Sequence, residues 1–295
     1  MKNTVLALIF FLMSPLTACQ SPSYHAQSDL FRKDNLVAWC IVPFDAAERS
    51  PKERAAMLNE LGITQLAYDY RDKHIPSFEK EIEMLKAHRV KLSAVWFWLE
   101  PKGGKVFSSA NESILRILEK TGTETELWVS FPGAVFAGLN DREKIDKAVN
   151  ALAELLSWAE DHGCTIALYN HGDWFGEPEN QVKIINAMDS EKIRIVYNFH
   201  HGHSHNDRFE EFFPLLEPYL YSLHLNGMTV GVNKIMTIGT GEREKEMLET
   251  VYKTGYSGPV GILDHDSKRK PEEVYPDNFQ GLKKLLEEIG DSKAA

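Results

Sequence analysis

Residues 164–225 read CTIALY (164–169), NHGDWFGEPE (170–179), NQVKIINAM (180–188), IRIVYNF (193–199), HHGHSHNDR (200–208), FEEFFPLL (209–216) and YLYSLHL (219–225). The runs at 164–169, 193–199 and 219–225 are short, β-branched and aromatic, as expected of strands, whereas 180–188 and 209–216 place apolar residues at helical spacing. Strands separated by helices pair in parallel, with each helix as the crossover. Outward from this stretch the alternation continues, with strands expected at 36–42, 63–68, 90–98, 126–131 and 259–264, and helices at 51–61, 78–88, 111–120, 142–162, 242–254 and 278–289. Ser50 before Pro51, with Glu53 three residues after Ser50, marks a helix start, and Gly62, Gly163, Gly255 and Gly290 mark helix ends. Eight strand–helix units in about 250 residues predict an α/β protein built as a single (β/α)8 TIM barrel. A doubly wound open sheet is the alternative. The turn after the first strand reads CIVPFDAAERS (40–50), without G-x-G-x-x-G, so no nucleotide cofactor is expected.

In such barrels the chemistry sits at the carboxyl ends of the strands, where the loops converge on one mouth. Seven of the 11 histidines, at 171, 200, 201, 203, 205, 224 and 265, fall at or just beyond the ends of strands five to eight. A polar mouth fed by those four strands is therefore expected, with His201 and His224 at its centre.

The chain has 295 residues, 43% hydrophobic and 26% charged, with a formal net charge of −10. This is the composition of a globular protein, and an acidic chain without Lys/Arg clusters lacks the footprint of a nucleic-acid binder. At the amino end, Lys2 precedes the apolar run 5–13, which is too short to span a bilayer and reads as a secretory signal over 1–18. Leu16-Thr17-Ala18-Cys19 resembles the lipobox of bacterial lipoproteins, which implies cleavage before Cys19 and lipidation of it. Gln20 after it implies the periplasmic face of the outer membrane, so the chain is expected to be a cell-envelope protein touching the membrane through its lipid alone. Residues 19–34 are polar and aperiodic, a flexible tether before a barrel domain at 35–295. Cys40 and Cys164 sit in apolar runs and are expected to be buried free thiols.

The runs LGITQLAYDYR (61–71), ALYNHGDWFGEPENQ (167–181), IVYNFHHGHSHNDRF (195–209), SLHLNGM (222–228), IGTGE (238–242) and PVGILDH (259–265) resemble the xylose isomerase-like barrels, the family of sugar phosphate isomerases/epimerases and endonuclease IV. The resemblance implies one divalent metal held by a Glu from strand five, an Asp or His from strand six, a His or Asp from strand seven and a Glu from strand eight, the two glutamates serving as acid and base. This chain departs from it, with Tyr169 and Asn170 at strand five, Asn198 and His201 at strand six, His224 at strand seven, and Asp264 and His265 at strand eight. Two readings stay open. In one, Asn170 or His171 joins His201, His224 and Asp264 around zinc, manganese or iron; in the other, no metal is held and the polar rim alone acts on the ligand.

For catalysis, His201, His224, His171 and Tyr169 are the expected acid/base groups. Tyr68, Trp96, Trp98, Phe131 and Trp174 would ring the mouth and stack on sugar faces, with barrel packing as the alternative for the Trp96/Trp98 pair. Arg71 reads either as a phosphate or carboxylate binder or as a surface ion pair, Lys234 is a weaker binder, and Glu177 and Asn226 complete the expected substrate contacts. The expected activity is proton abstraction next to a carbonyl of a sugar or keto-sugar, as in isomerases, epimerases and 3-keto-sugar lyases or hydratases. The competing class is a non-catalytic carbohydrate-binding lipoprotein that has lost the metal-binding glutamates. Replacing Cys19 with Ser should release the protein from membranes without unfolding it, as fractionation and circular dichroism would show; a processed variant that stays membrane-bound would refute the lipid anchor.

Overall fold

The structure is a computed structural model that describes residues 30–230 and 234–290. Its elements run β1 (Leu36–Trp39), α1 (Pro51–Leu61), β2 (Gln65–Tyr68), α2 (Phe78–Ala87), β3 (Lys91–Trp98), α3 (Ser109–Thr121), β4 (Glu126–Ser130), α4 (Asp141–Asp161), β5 (Thr165–Tyr169), α5 (Pro178–Met188), β6 (Ile193–Asn198), α6 (Phe209–Leu216), β7 (Leu220–Leu225), α7 (Glu244–Thr254), β8 (Val260–Leu263) and α8 (Pro271–Glu288). The strands pair in parallel in sequence order, and β1 closes the ring against β8 with Leu36 opposite Val260 and Trp39 opposite Leu263. This is the expected (β/α)8 barrel. Local signals act as read: the Ser50 N–H donates to Glu53 Oε2 at 3.0 Å, and Gly62 and Gly255 end α1 and α7 at φ 73° and 77°. Only α8 departs markedly, beginning at Pro271 rather than 278, because Val274 and Tyr275 are buried within a stretch whose prolines and charges mask the helical period.

The signal at 1–18 and Cys19 lie outside the described residues. Packing reaches back to Leu30 and Phe31, inside the span read as tether: both are buried, and Phe31 meets Tyr252 at 5.9 Å between ring centroids. Cys40 and Cys164 are buried free thiols.

Alternation along the strands separates two cores. Residues such as Leu66, Tyr68, Phe97, Leu127 and Ile262 face the helices, while Val37, Trp39, Ala67, Ala94, Trp128, Ala167, Tyr169, Val196 and Leu263 fill the barrel. Small side chains on β2, β3 and β5 leave room for a plug of large rings. Trp128 meets Trp39 edge-on at 4.9 Å, lies parallel to Tyr169 at 6.0 Å and takes His224 edge-on at 4.7 Å. The plug is held at both ends, since Trp128 Nε1 donates to Glu126 Oε1 at 2.8 Å while Trp39 Nε1 and Asn198 Nδ2 donate to the Tyr169 hydroxyl at 3.2 and 2.7 Å.

Gly261 is the tightest point of this arrangement, because a Cβ there would stand 1.8 Å from His224 Nδ1. Gly261→Ala should therefore destabilise the fold by about 1–3 kcal/mol through overpacking. In a double-mutant cycle followed by urea unfolding, adding His224→Ala should recover part of that loss; strictly additive effects would show that the two sites do not share the space.

Candidate functional site

At the carboxyl ends of the strands lies a cavity of about 100 Å³. Its buried floor is Trp39, Cys40, Asp69 and Tyr169, and its half-buried wall includes Phe44, Trp96, His171, His200, His201 and His265, with the exposed Arg71 at the edge. Strands β1, β2, β3, β5, β6 and β8 or the loops after them all contribute, so the mouth is not the work of strands five to eight alone.

Amide side chains set the geometry on the β5–β6 side. Asn170 Nδ2 donates to the Asn198 carbonyl at 3.0 Å and Asn170 Oδ1 accepts the Asn198 N–H at 2.8 Å, which ties the ends of the two strands together. Asn198 Oδ1 in turn accepts the His200 N–H at 3.0 Å and caps the one-turn helix Phe199–Gly202 that carries His201. His201 stands edge-on to Tyr169 at 5.3 Å, with His171 at 4.4 Å and His200 at 4.3 Å between ring centroids. Opposite, Arg71 donates from Nη1 to the carbonyls of Asp69 and Tyr70 at 3.1 and 2.9 Å, and its guanidinium carbon lies 5.5 Å from the ring centres of both Phe44 and Trp96. Arg71 and Trp96 also border a second cleft of about 700 Å³, lined by Tyr70, Trp98, Glu100, Ser108 and Asn111 among others.

Burial dominates the electrostatics. It pushes His201 down to about 2, helped by the neighbouring His200 and His171, and His200 down to about 4, helped by His265. It also lowers His171 and His265. These four imidazoles are therefore neutral at neutral pH and can accept or donate one hydrogen bond at each nitrogen. The same burial raises Asp69 to about 7, against the pull of Arg71, and raises the Cys40 thiol and the Tyr169 hydroxyl.

Of the residues singled out in the sequence, His171, His201, Tyr169, Arg71 and Trp96 meet at the cavity, and Trp98 lines the adjoining cleft. The others are elsewhere. His224 points into the barrel but lies among Trp39 and Trp128, its Nε2 2.9 Å from the Ser222 hydroxyl, and burial pushes it down to about 3. It belongs to the plug and does not line the cavity. Tyr68 faces the helices, stacked on Phe78 at 4.8 Å, as Phe131 faces Phe175 at 4.8 Å. Trp174 packs on Phe136 at 5.1 Å, and Glu177 pairs with His205 and Arg208 at 3.2 and 3.4 Å. Asn226 is buried and donates from Nδ2 to the carbonyls of Gly227 and Lys234, both at 2.8 Å, pinning the loop after β7. The Lys234 backbone carbonyl also lies 3.4 Å from His200 Nδ1, but Lys234 is exposed and does not line the cavity. Asp264 is buried beside Leu263, the last inward residue of β8, and alternation turns it away from the cavity toward Tyr275.

The expected metal set does not assemble from these residues. Asn170 is engaged with Asn198, His224 lies in the plug and Asp264 faces away, so that of the expected set only His201 and His171, the alternative to Asn170, stand together. Among the described residues no three His, Cys, Asp or Glu side chains are placed to hold an ion. Cys40, Trp39, Phe44 and Asp69 are cavity residues that the sequence reading missed. For Asp69 a signal was present, because it follows Tyr68 and the two must face opposite sides of the barrel wall.

Residues 42–285 match the xylose isomerase-like TIM barrel family. No curated protein is significantly similar to the chain in sequence. Among solved structures, an IolI protein with a bound zinc atom is similar at TM-score 0.67 and 16% identity, over 86% of this chain and 98% of that one. The 3-keto-D-glucoside 4-epimerase YcjR of E. coli is similar at TM-score 0.60 and 14% identity, over 86% of this chain and 100% of that one. A D-psicose 3-epimerase crystallised in the presence of D-fructose is similar at TM-score 0.59 and 11% identity, over 88% and 99%.

The lowered histidines carry a stability signature. An unfolded His takes up its proton near 6.5, whereas folded His201, His200 and His224 do so at about 2, 4 and 3, so the unfolded chain binds more protons as the medium turns acid. Their contribution is present in full above 6.5 and is lost as pH falls from 6.5 toward those folded values. Urea midpoints should therefore begin to drop just below pH 6.5, and His201→Gln should weaken that dependence; a variant with an unchanged acid limb would show that His201 is not held neutral.

Proposed function

The chain belongs to the xylose isomerase-like TIM barrel family, and from that premise we propose that it is a sugar-active enzyme of the isomerase or epimerase type, which removes a proton next to the carbonyl of a sugar or keto-sugar. The observation that carries this reading is the convergence of His171, His201 and Tyr169 on a small cavity walled by Trp96 and Phe44. A neutral imidazole can donate its N–H to a carbonyl oxygen and hold the negative charge that grows there as the carbon is deprotonated. Tyr169 stays a protonated phenol and offers its own hydroxyl chemistry from the floor.

Aromatic faces suit the C–H faces of a sugar ring, while the surrounding polar groups take its hydroxyls. The cavity of about 100 Å³ has room for the reacting end of a sugar, and the cleft of about 700 Å³ beyond Arg71 and Trp96 has room for the remainder. A glycoside or other extended keto-sugar fits this pair of spaces better than a single free ring. Isomerisation, epimerisation and lyase or hydratase chemistry on a 3-keto sugar all begin with the same proton abstraction. The lipobox at 16–19 and Gln20 support placing the enzyme at the periplasmic face of the outer membrane.

A second reading, a carbohydrate-binding lipoprotein without activity, is favoured by Tyr169 and by Asp264-His265, which stand where the resemblance leads one to expect glutamates. Incubation with D-fructose and with methyl 3-keto-β-D-glucopyranoside in heavy water separates the two. The enzyme should replace the hydrogen next to the carbonyl of at least one probe with deuterium, seen by proton NMR, and His201→Ala should slow this by more than about 100-fold. Binding without exchange would establish the binder.

A further inference from the structure

We infer that Asp69 is the proton acceptor of this cavity, taking the proton from the carbon next to the substrate carbonyl while His171 and His201 hold the carbonyl oxygen. This rests on the enzymatic reading above and deepens it, by giving the reaction the carboxylate base that the strand-five and strand-eight positions do not supply.

The first support is place. Asp69 directly follows β2 and lies on the cavity floor, and in a closed ring of eight strands β2 stands opposite β6, after which His201 follows. A ligand between them meets a carboxylate on one side and imidazoles on the other. The second support is the state of the carboxylate. Other buried acids are engaged: Glu81 accepts from Arg54 at 3.1 Å, Glu126 from Trp128 at 2.8 Å, Asp45 from Arg49 at 2.7 Å and Glu244 from the Gly239 N–H at 2.9 Å, while Asp264, which does not line the cavity, accepts the Asp266 N–H at 3.3 Å through one oxygen and leaves the other bare. Both Asp69 oxygens are buried and reach no partner at full hydrogen-bond geometry; the Cys40 thiol and the N–H groups of Val42 and Asp69 are the polar groups that face them. A buried polar group so poorly satisfied calls for an explanation in function. Arg71, the nearest cation acting on it, is diverted to the carbonyls of Asp69 and Tyr70, so its positive charge borders the carboxylate without engaging its lone pairs.

Chemistry selects the base within the cavity. The groups that face it are Cys40, Asp69, Arg71, Tyr169, His171, His200, His201 and His265. Arg71 carries no free lone pair for a proton, Tyr169 and Cys40 keep theirs, and the imidazoles are too weakly basic where they sit. Asp69 remains. In the step, the C–H bond breaks and its proton goes to an Asp69 oxygen. The electron pair forms a carbon–carbon double bond as the carbonyl π pair moves onto oxygen, where the imidazole N–H groups stabilise it. Return of the proton from Asp69 to the same carbon restores the carbonyl and the carboxylate; when it goes instead to the former carbonyl carbon, the hydroxyl on the first carbon becomes the new carbonyl and passes its proton to the oxyanion through the imidazole that holds both oxygens, so nothing is consumed.

The test uses the folded, soluble mature chain with the same two probes in heavy water. Asp69→Asn, which keeps the shape, should lower deuterium exchange by more than about 100-fold while calorimetry shows the probe still binding with little change. Asp69→Ala opens space for a small acid, and added formate should restore part of its exchange, which a purely structural role would not allow. Circular dichroism and melting of each variant establish folding, and the formate arm decides the matter if the Asn variant fails to fold. Exchange retained in Asp69→Asn, or a folded Asp69→Ala that formate does not rescue, overturns the assignment and leaves the enzymatic reading standing. Absence of exchange in the unmodified protein overturns both.

Discussion

A ring of eight parallel strands encloses a space that only side chains can fill, and in this protein Trp39, Trp128, Tyr169 and His224 fill it. Their bulk requires alanines at 67, 94 and 167 and glycine at 261, so one choice of large rings dictates small residues at four positions around them. The plug also divides the interior. Groups beneath its upper surface are structural whatever their chemistry, and groups on it face the cavity. Tyr169 belongs to both parts, packed parallel to Trp128 below and bonded through its hydroxyl to Asn198 at the level where the chain turns out to His201.

The fold was legible because its signals are local and repeated. Each strand is a short β-branched or aromatic run, each helix has an amphipathic period, and serine, proline and glycine mark their ends. The site was legible only in part. The rule that chemistry gathers at strand ends brought out His171, His201, Arg71 and Trp96, but a strand end has two faces, and the choice between neighbours depends on exact register. After β2 it is Asp69 and not Tyr68 that lines the cavity, in a strand whose pairing with β3 shifts between Leu66 and Ala67. His224 stands apart from the cavity for a different reason. It faces inward as expected, but its depth is set by Trp39 and Trp128, contributed by strands far away in sequence.

A site with several histidines and no assembled acidic ligand set has a particular electrical character. Four neutral imidazoles stand above a floor of Trp39, Tyr169, Cys40 and Asp69, so the surface is one of fixed dipoles with a single carboxyl group beneath it and a single guanidinium, held by backbone carbonyls, at its edge. The low dielectric that keeps the imidazoles uncharged also strengthens each hydrogen bond they make to a developing oxyanion.

The way the chain enters the barrel fixes its polarity. Asn35 donates from Nδ2 to the Leu30 carbonyl at 2.7 Å and to the Gly258 carbonyl at 3.0 Å, and Gln65 Nε2 donates to the Asp34 carbonyl at 2.9 Å, so residues 30–35 are fastened at the amino ends of β1, β2 and β8. The cavity lies at the carboxyl ends, on the far side of the ring. The described chain therefore begins at the back of the molecule, and the fastening of residues 30–35 and the lining of the cavity share no side chain, so either can change without disturbing the other.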